Sequence, residues 1–300
     1  MASKSKGARL KTSSTSKRSK KCSKKCTVVE KPLLKVLIMN VSGVSEGKLT
    51  AERRKQTIVD IIDEHNPILA LFQEFTWKKT CGKVWKSYTL PRHYQIIGNK
   101  EASIMYNTNE VTVTERGKET KKLQRYVKEL QRPTSKDPTP IYLDIESNAR
   151  MALIVLETKG VPVMKFICIS WHGNHAGMTN DGKVTEFKNL MFFLNDIYKK
   201  FKLPILIAGD FNVKMKSIRH KVQYPFKLYE YEASERRKKK GVIDYFIATT
   251  ELHLSNIKPV DLKKYSKAYN PEKVFDHDPI KAILELDSSS DSSCSEYDSC

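Results

Sequence analysis

The sequence predicts an α+β body in which two sheets carry helices on their outer sides. Two observations predict it. Short apolar runs of strand length alternate with longer stretches of helical periodicity, and nearly every run stops at a carboxylate, amide or imidazole. Leu34–Met39 reads as a buried strand. Thr50–His65 reads as a helix, with Ile58, Ile61 and Ile62 on one face and Pro67 beyond its end. Ile68–Phe72 is a second buried strand, and Ala102–Tyr106 and Val111–Thr114 are shorter ones. Met151–Leu156 and Val163–Ser170 are expected to pair through the Lys159-Gly160 turn. Val184–Phe201 is an amphipathic helix stopped before Pro204. Ile205–Ala208, Ile243–Ala248 and the alternating Ile280–Leu286 complete the body. The helix after the first strand and the helix before Ile205 are expected to cover opposite faces. Glu115–Ser135, basic and helix-prone, is expected to be a peripheral insertion.

Hydrophobic residues make up 39% of the 300, enough for a sizeable core, and the formal net charge is +20. Residues 1–29 hold ten Lys/Arg and no acid, and 287–300 hold four acids, so residues 30–286 carry +14. A body this basic attracts polyanions, because cationic surfaces release counterions condensed on phosphate backbones. The sequence divides into a basic tail at 1–31, a body at 32–286 and an acidic, Ser-rich tail at 287–300. Both tails lack the apolar residues that offset ordering entropy and are expected to be disordered. The first, with Lys17-Arg18-Ser19-Lys20-Lys21, reads as a nuclear-localisation or nucleic-acid-gripping arm. No apolar leader and no run of the ~18 apolar residues needed for a membrane span is present. The expectation is an intracellular monomer, leaning towards the nucleus, with no membrane partner. Six cysteines are scattered, and Cys22 and Cys26 have no second Cys/His pair at zinc-site spacing, so neither a disulfide framework nor a zinc site is expected.

The residues that end the strands carry the chemistry. Asn40 ends the first run and Gln73-Glu74 the second. His172 and Asn174 follow Phe166–Ser170, Asp210 and Asn212 follow Ile205–Ala208, Asp244 opens the next strand, and Asp276-His277 precede the last. Buried acids and amides are costly unless paired, hydrogen-bonded or metal-bound, so these points suggest one convergent polar site. The set suits phosphate-ester hydrolysis. Glu74 and Asn40 offer the oxygen ligands that Mg²⁺ prefers. Asp210 can orient or deprotonate a water, with Asn212 holding the geometry. His277, oriented by Asp244, can meet the charge growing on phosphoryl oxygens. His172 can hold the phosphate or help protonate the leaving oxygen.

These motifs resemble the endonuclease/exonuclease/phosphatase superfamily, which includes DNase I and the abasic-site endonucleases. The resemblance runs from about Leu34 to Leu286. It rests on Met39-Asn40-Val41-Ser42-Gly43, Leu71-Phe72-Gln73-Glu74, Ser170-Trp171-His172-Gly173-Asn174, Gly209-Asp210-Phe211-Asn212, Ile243-Asp244-Tyr245 and Asp276-His277-Asp278-Pro279, in family order. It implies a DNase I-like four-layer αββα sandwich. It implies Glu74 as principal metal ligand with Asn40 beside it and Asp276 nearby, and Mg²⁺ (or Mn²⁺) as cofactor. It implies that Asp210 and Asn212 orient water and scissile phosphate and that Asp244 supports His277. His172 stands where DNase-like members carry a histidine, and Arg150 where members place a phosphate-contacting arginine. The chain departs from the abasic-site enzymes at Ser42, where they carry an acid, at His172, where they carry a tyrosine, and at Gly241-Val242, where they carry a tryptophan. The Cys-Asp-Arg element of inositol-polyphosphate 5-phosphatases is absent around Asp244.

The leading reading is a metal-dependent nuclease that hydrolyses DNA or RNA phosphodiesters through an activated water. Lys214, Lys216, Arg219, His220 and Lys221 follow the Asp210 motif, and Arg236 to Lys240 precede Asp244. Both clusters are placed to grip flanking phosphates, with Asn174 and Arg150 nearer the reacting group. Two other readings stand beside it: a phosphatase or phosphodiesterase on small or lipid phosphoesters, and a nucleic-acid-binding protein without catalysis.

Overall fold

A computed structural model describes residues 34–41, 47–75, 92–99, 101–132, 150–160, 163–174, 177–234, 237, 240–265 and 275–286. Both predicted tails, Ser42 and Arg236 lie outside these residues. Among the described residues, twelve strands form two six-stranded mixed sheets. The first runs β11(Leu252–Pro259)-β12(Ile280–Leu286)-β1(Leu34–Asn40)-β2(Leu69–Gln73)-β4(Ala102–Asn107)-β3(Tyr94–Gly98). The second runs β5(Val111–Val113)-β6(Met151–Thr158)-β7(Lys165–His172)-β8(Ile205–Asp210)-β10(Asp244–Thr249)-β9(Phe226–Tyr229). In each sheet one central pair is parallel, β1 with β2 and β7 with β8, and the other pairs are antiparallel.

Alternation along these strands sorts the core into layers. Val36, Ile38, Leu69, Leu71, Ile104 and Tyr106 of one sheet pack against Ile154, Leu156, Phe166, Cys168, Leu206 and Phe246 of the other. The residues between them face outwards and meet helices. Leu37, Met39, Ala70 and Phe72 pack on Ile58, Ile61 and Ile62 of α1 (Gly47–His65). Val155, Ile167, Ile169, Ile205 and Ile207 pack on Phe187, Leu190, Leu194 and Ile197 of α3 (Asn180–Phe201). The result is the αββα sandwich, with the two predicted helices on opposite outer faces.

Boundaries shift where polarity hid them. The helix α3 begins four residues before the predicted Val184, because Thr179 caps it: its side chain accepts from Gly182 N at 3.1 Å. Its polar first turn carries no apolar period. The expectation of a peripheral insertion at 115–135 is corrected. There α2 (Lys118–Leu130) buries Leu123 and Val127 in the same outer layer as α3. Thr120 Oγ1 also accepts from Val155 N at 3.0 Å, which satisfies an edge amide of β6 beyond the short β5. Three strands, β3, β9 and β11, have no counterpart in the sequence reading. Each is short or broken by polar residues, so it gives no unbroken apolar run, and each sits at a sheet edge.

Candidate active site

The strand ends supply the site. Asn40 and Gln73 are register partners where β1 and β2 finish, so Glu74 emerges one residue beyond. His172, Asp210 and Asp244 lie in a row across β7, β8 and β10. Carboxyl ends of adjacent parallel strands form the crevice in which open α/β sheets place their ligands. Here two such crevices face each other. Asn40 Nδ2 donates to Asp210 Oδ2 at 2.9 Å, and Gln73 Nε2 donates to Ser170 Oγ at 2.9 Å, so both bonds tie one sheet to the other. Close approach of β7 and β8 requires glycine at two positions. A Cβ on Gly209 would stand 2.0 Å from Trp171 O, and one on Gly173 would stand 2.3 Å from Phe211 O. Below the row, the Phe211 and Tyr245 rings stack at 4.1 Å and 7°.

Two histidines face Asp210, each held by its own carboxylate. His277 Nδ1 lies 2.8 Å from Asp244 Oδ2, and its Nε2 lies 3.7 Å from Asp210 Oδ2. His172 Nδ1 lies 3.1 Å from Glu101 Oε2, and its Nε2 lies 4.0 Å from the same Asp210 oxygen and 3.7 Å from Glu74 Oε1. Asn212 N donates to Asp210 Oδ1 at 2.8 Å, and its Nδ2 donates to Gly173 O at 2.9 Å. Glu74 and Asn212 both have positive φ, 58° and 52°, a conformation rare outside glycine that aims each side chain away from the strand direction.

Asp210 is fully buried, and burial followed by the charge of Asp244 pushes its carboxyl up to about 7, against the opposing pull of His277 and two hydrogen bonds. Burial pulls the His277 imidazole down, but Asp244, by charge and hydrogen bond, and Asp210 together carry it above its ordinary value. The pocket is thus short of positive charge. Asp210, Asp244 and His277 place one ligand-type atom each within 4.8 Å of one another. Glu74 and Asp276 act on the same guanidinium: burial lowers the Arg54 pKa, and the charges of Asp276 and Glu74 raise it. Asp276 is exposed, and its carbonyl accepts from Arg237 Nη2 at 2.6 Å.

Of the predicted residues, Asn40, Glu74, His172, Asp210, Asn212, Asp244 and His277 are in mutual reach here, whereas Lys214, Lys216 and Asp276 are exposed. Arg150 is placed differently from expectation, since its Nη1 bonds the carbonyls of His172 (3.2 Å) and Gly173 (2.8 Å), pinning the loop that carries the histidine. The Arg219 guanidinium is paired with Glu230, which removes it from the free cations expected beside Asp210. Three residues went unread in the sequence: Glu101, which orients His172; Arg54; and Glu186, a buried α3 carboxylate that accepts from Asn174 N at 3.1 Å. None ends an apolar run, so the signal that found the others does not reach them.

No protein-family model and no curated protein matches the sequence. Solved structures do match it. The human Nocturnin catalytic domain is 14% identical, with 86% of this chain and 96% of that one aligned at a TM-score of 0.58. An endonuclease/exonuclease/phosphatase from Bacteroides vulgatus is 15% identical, over 86% and 100%, at 0.57. D. rerio TDP2, solved in complex with a single-strand DNA product, is 10% identical, over 85% and 99%, at 0.54. At these identities the likeness is one of fold, and the chain has the fold of the endonuclease/exonuclease/phosphatase superfamily, the one its six motifs resemble.

Proposed function

We propose that the chain is a divalent-metal-dependent phosphodiesterase that hydrolyses nucleic acid. One observation carries this reading: two carboxylate-held imidazoles converge on a single oxygen of a buried aspartate, at 3.7 and 4.0 Å. A fold has no structural use for such an arrangement, whereas in-line attack of water on phosphorus needs its parts.

The residues fit a hard cation. Asp210, Asp244 and His277 bring ligand-type atoms within 4.8 Å of one another, and Asn40, bonded to Asp210, and Glu74, beside His172, add oxygen donors next to them, a set that suits a hard cation. Asn40, Glu74 and Asp276 would hold Mg²⁺ or Mn²⁺, with the Asp210 carboxylate bordering it. When bound, such an ion polarises the phosphoryl oxygens and offsets their growing charge. The chain's own groups do the rest. Asp210, steadied by Asn212 N and Asn40 Nδ2, takes the proton of the attacking water. Asn212 and Asn174 position the scissile phosphate. His277, its tautomer fixed by Asp244, hydrogen-bonds a phosphoryl oxygen through Nε2–H. His172, fixed by Glu101, gives its Nε2 proton to the leaving oxygen as the P–O bond breaks. Arg150 keeps the His172 loop in register.

Nucleic acid is favoured by the surface beyond the pocket. Lys214 and Lys216 are exposed just after Asn212. Further out, a groove of about 260 Å³ is lined by Lys188, Phe192, His220, Lys221 and Tyr224. Phe192 and Tyr224 expose 49% and 86% of their surface, unusual for aromatic rings unless a partner covers them. Cations interleaved with bare rings suit a strand whose bases stack while its phosphates are neutralised. The DNA product held by D. rerio TDP2 adds support from a chain of the same fold.

The test is direct. Wild-type protein, Asp210→Asn and His277→Ala are incubated with labelled DNA, labelled RNA and a soluble phosphomonoester, with Mg²⁺, Mn²⁺ or chelator. Metal-dependent cleavage of a nucleic acid by wild type alone is expected. Phosphomonoester turnover with intact nucleic acids would move the reading to a small-substrate phosphatase, and binding without cleavage under every metal would remove catalysis.

A further inference from the structure

The outer face of the β1–β12–β11 ladder gathers positive charge that nothing in the proposed chemistry uses. In β12, Lys281 stands directly opposite Lys258 of β11 across the ladder, through a β-bulge at Ser255–Lys258. Like charges facing each other in a ladder are destabilising. On the neighbouring strand β1, Lys35 projects to the same outer face, which α1 covers at Leu37 and Met39 but leaves open here. His65, in the last turn of α1, and Lys264 complete the group. Glu64 is the acid acting on Lys281, and it is already 3.4 Å from Lys264 Nζ. The lysines do not stand on a flat surface. Lys35, Leu37, His65, Asn256, Lys258 and Lys281 line a cavity of about 340 Å³. On β1 the cavity runs from Lys35 to Leu37, five and three residues before Asn40, so it lies about 10–17 Å from the active site along that strand.

We propose that this cavity is an anion site, taking the oxygens of a polyphosphate or of a nucleic-acid phosphate, separate from the catalytic pocket. A phosphate-bearing anion placed among Lys35, Lys258 and Lys281 turns three mutual repulsions into three charge-assisted contacts. The burial of Lys281 and the charge of its lysine neighbours lower its pKa, in keeping with a site preorganised for an anion. Sheet backbone sets the spacing of Lys258 and Lys281, so the two side chains leave the same face of the ladder side by side before any ligand arrives.

The site does not depend on the phosphodiesterase reading and is tested with no cleavage involved. Full-length wild type, Lys258→Gln/Lys281→Gln and a control, Lys199→Gln/Lys200→Gln at the far end of α3, are melted in chelator with and without about 1 mM tripolyphosphate. Each is also titrated with a short single-stranded oligonucleotide. Without ligand, the paired variant is expected to melt above wild type, because the repulsion is gone. With tripolyphosphate, wild type and control rise by roughly 5 °C while the variant does not. If tripolyphosphate moves none of the three but oligonucleotide affinity falls several-fold in the variant alone, the source of the phosphate is a nucleic-acid backbone. If the variant, or Lys258→Gln alone, matches the control in both arms, the site does not exist. Lys258→Gln alone, at an exposed position, gives the same ligand readout should the double change impair folding.

Discussion

Replacing Asp210 by Asn removes a charge that the fold holds away from water. The carboxyl is raised from its ordinary 3.8 to about 7, first by burial and then by Asp244. The sign follows from linkage. Below pH 3.8 the group is neutral in both folded and unfolded chains and imposes nothing. Between there and neutrality the unfolded chain ionises while the folded one keeps its proton, and the penalty grows until about pH 7, where it is complete. The full difference corresponds to about 4 kcal/mol, of which relaxation and water entry recover a part, leaving about 2–4 kcal/mol. The substituted amide would still accept from Asn212 N through its oxygen, and the Asn40 amide can turn over to meet its new donor, so little packing is lost. In chelator near pH 8 the variant should therefore be more stable than wild type by about 2–4 kcal/mol, a Tm gain of roughly 5–12 °C. Near pH 5.5 the gain should be about half as large. Thermal melts of both proteins at both pH values measure it. Equal Tm near pH 8, or a less stable variant, would refute the claim that Asp210 is a buried charge poorly compensated without a cation.

Other consequences follow from the same geometry. Glu101→Gln removes the carboxylate that fixes the His172 tautomer and should lower kcat about 10–100-fold with little change in KM, read by steady-state cleavage kinetics. Glu74→Gln should abolish cleavage and also erase the Mg²⁺-induced rise in wild-type Tm, measured by paired melts in metal and chelator. Gly209→Ala forces a Cβ to within 2.0 Å of Trp171 O and should cost about 3 kcal/mol or more by urea denaturation, with activity lost as β7 and β8 separate. Removing Lys188 and Lys221 together should flatten the logarithmic salt dependence of oligonucleotide binding by about one to two in slope, with kcat on a short substrate unchanged.

The sandwich was legible because its central strands are apolar on both faces. Val36 to Met39 and Ile205 to Ala208 are buried on the sheet side and the helix side alike, so they read as unbroken apolar runs. Edge strands such as Phe226–Tyr229 are half exposed and leave no such run. The candidate site was legible for the same reason, since Asn40, Glu74, Asp210 and Asp244 break or bound those runs. Glu101 escaped because it sits in the β3–β4 turn, where an acid is ordinary, and reaches His172 only through the fold. Arg54 escaped because its helix face looked solvent-directed until the strands placed Glu74 and Asp276 beneath it. The basic segment at 115–135 was misplaced because α2 shows only a narrow buried stripe of Thr120, Leu123 and Val127 among lysines.

The central claim concerns chemistry, and product analysis tests it most directly. A labelled oligonucleotide is incubated with wild-type protein and with Asp210→Asn, each in Mg²⁺ and in chelator, and the ends of any fragments are identified. Cleavage by wild type in Mg²⁺ only, leaving 5′-phosphate and 3′-hydroxyl ends, is the predicted result. Cleavage that persists in chelator or in the folded Asp210→Asn protein would contradict it.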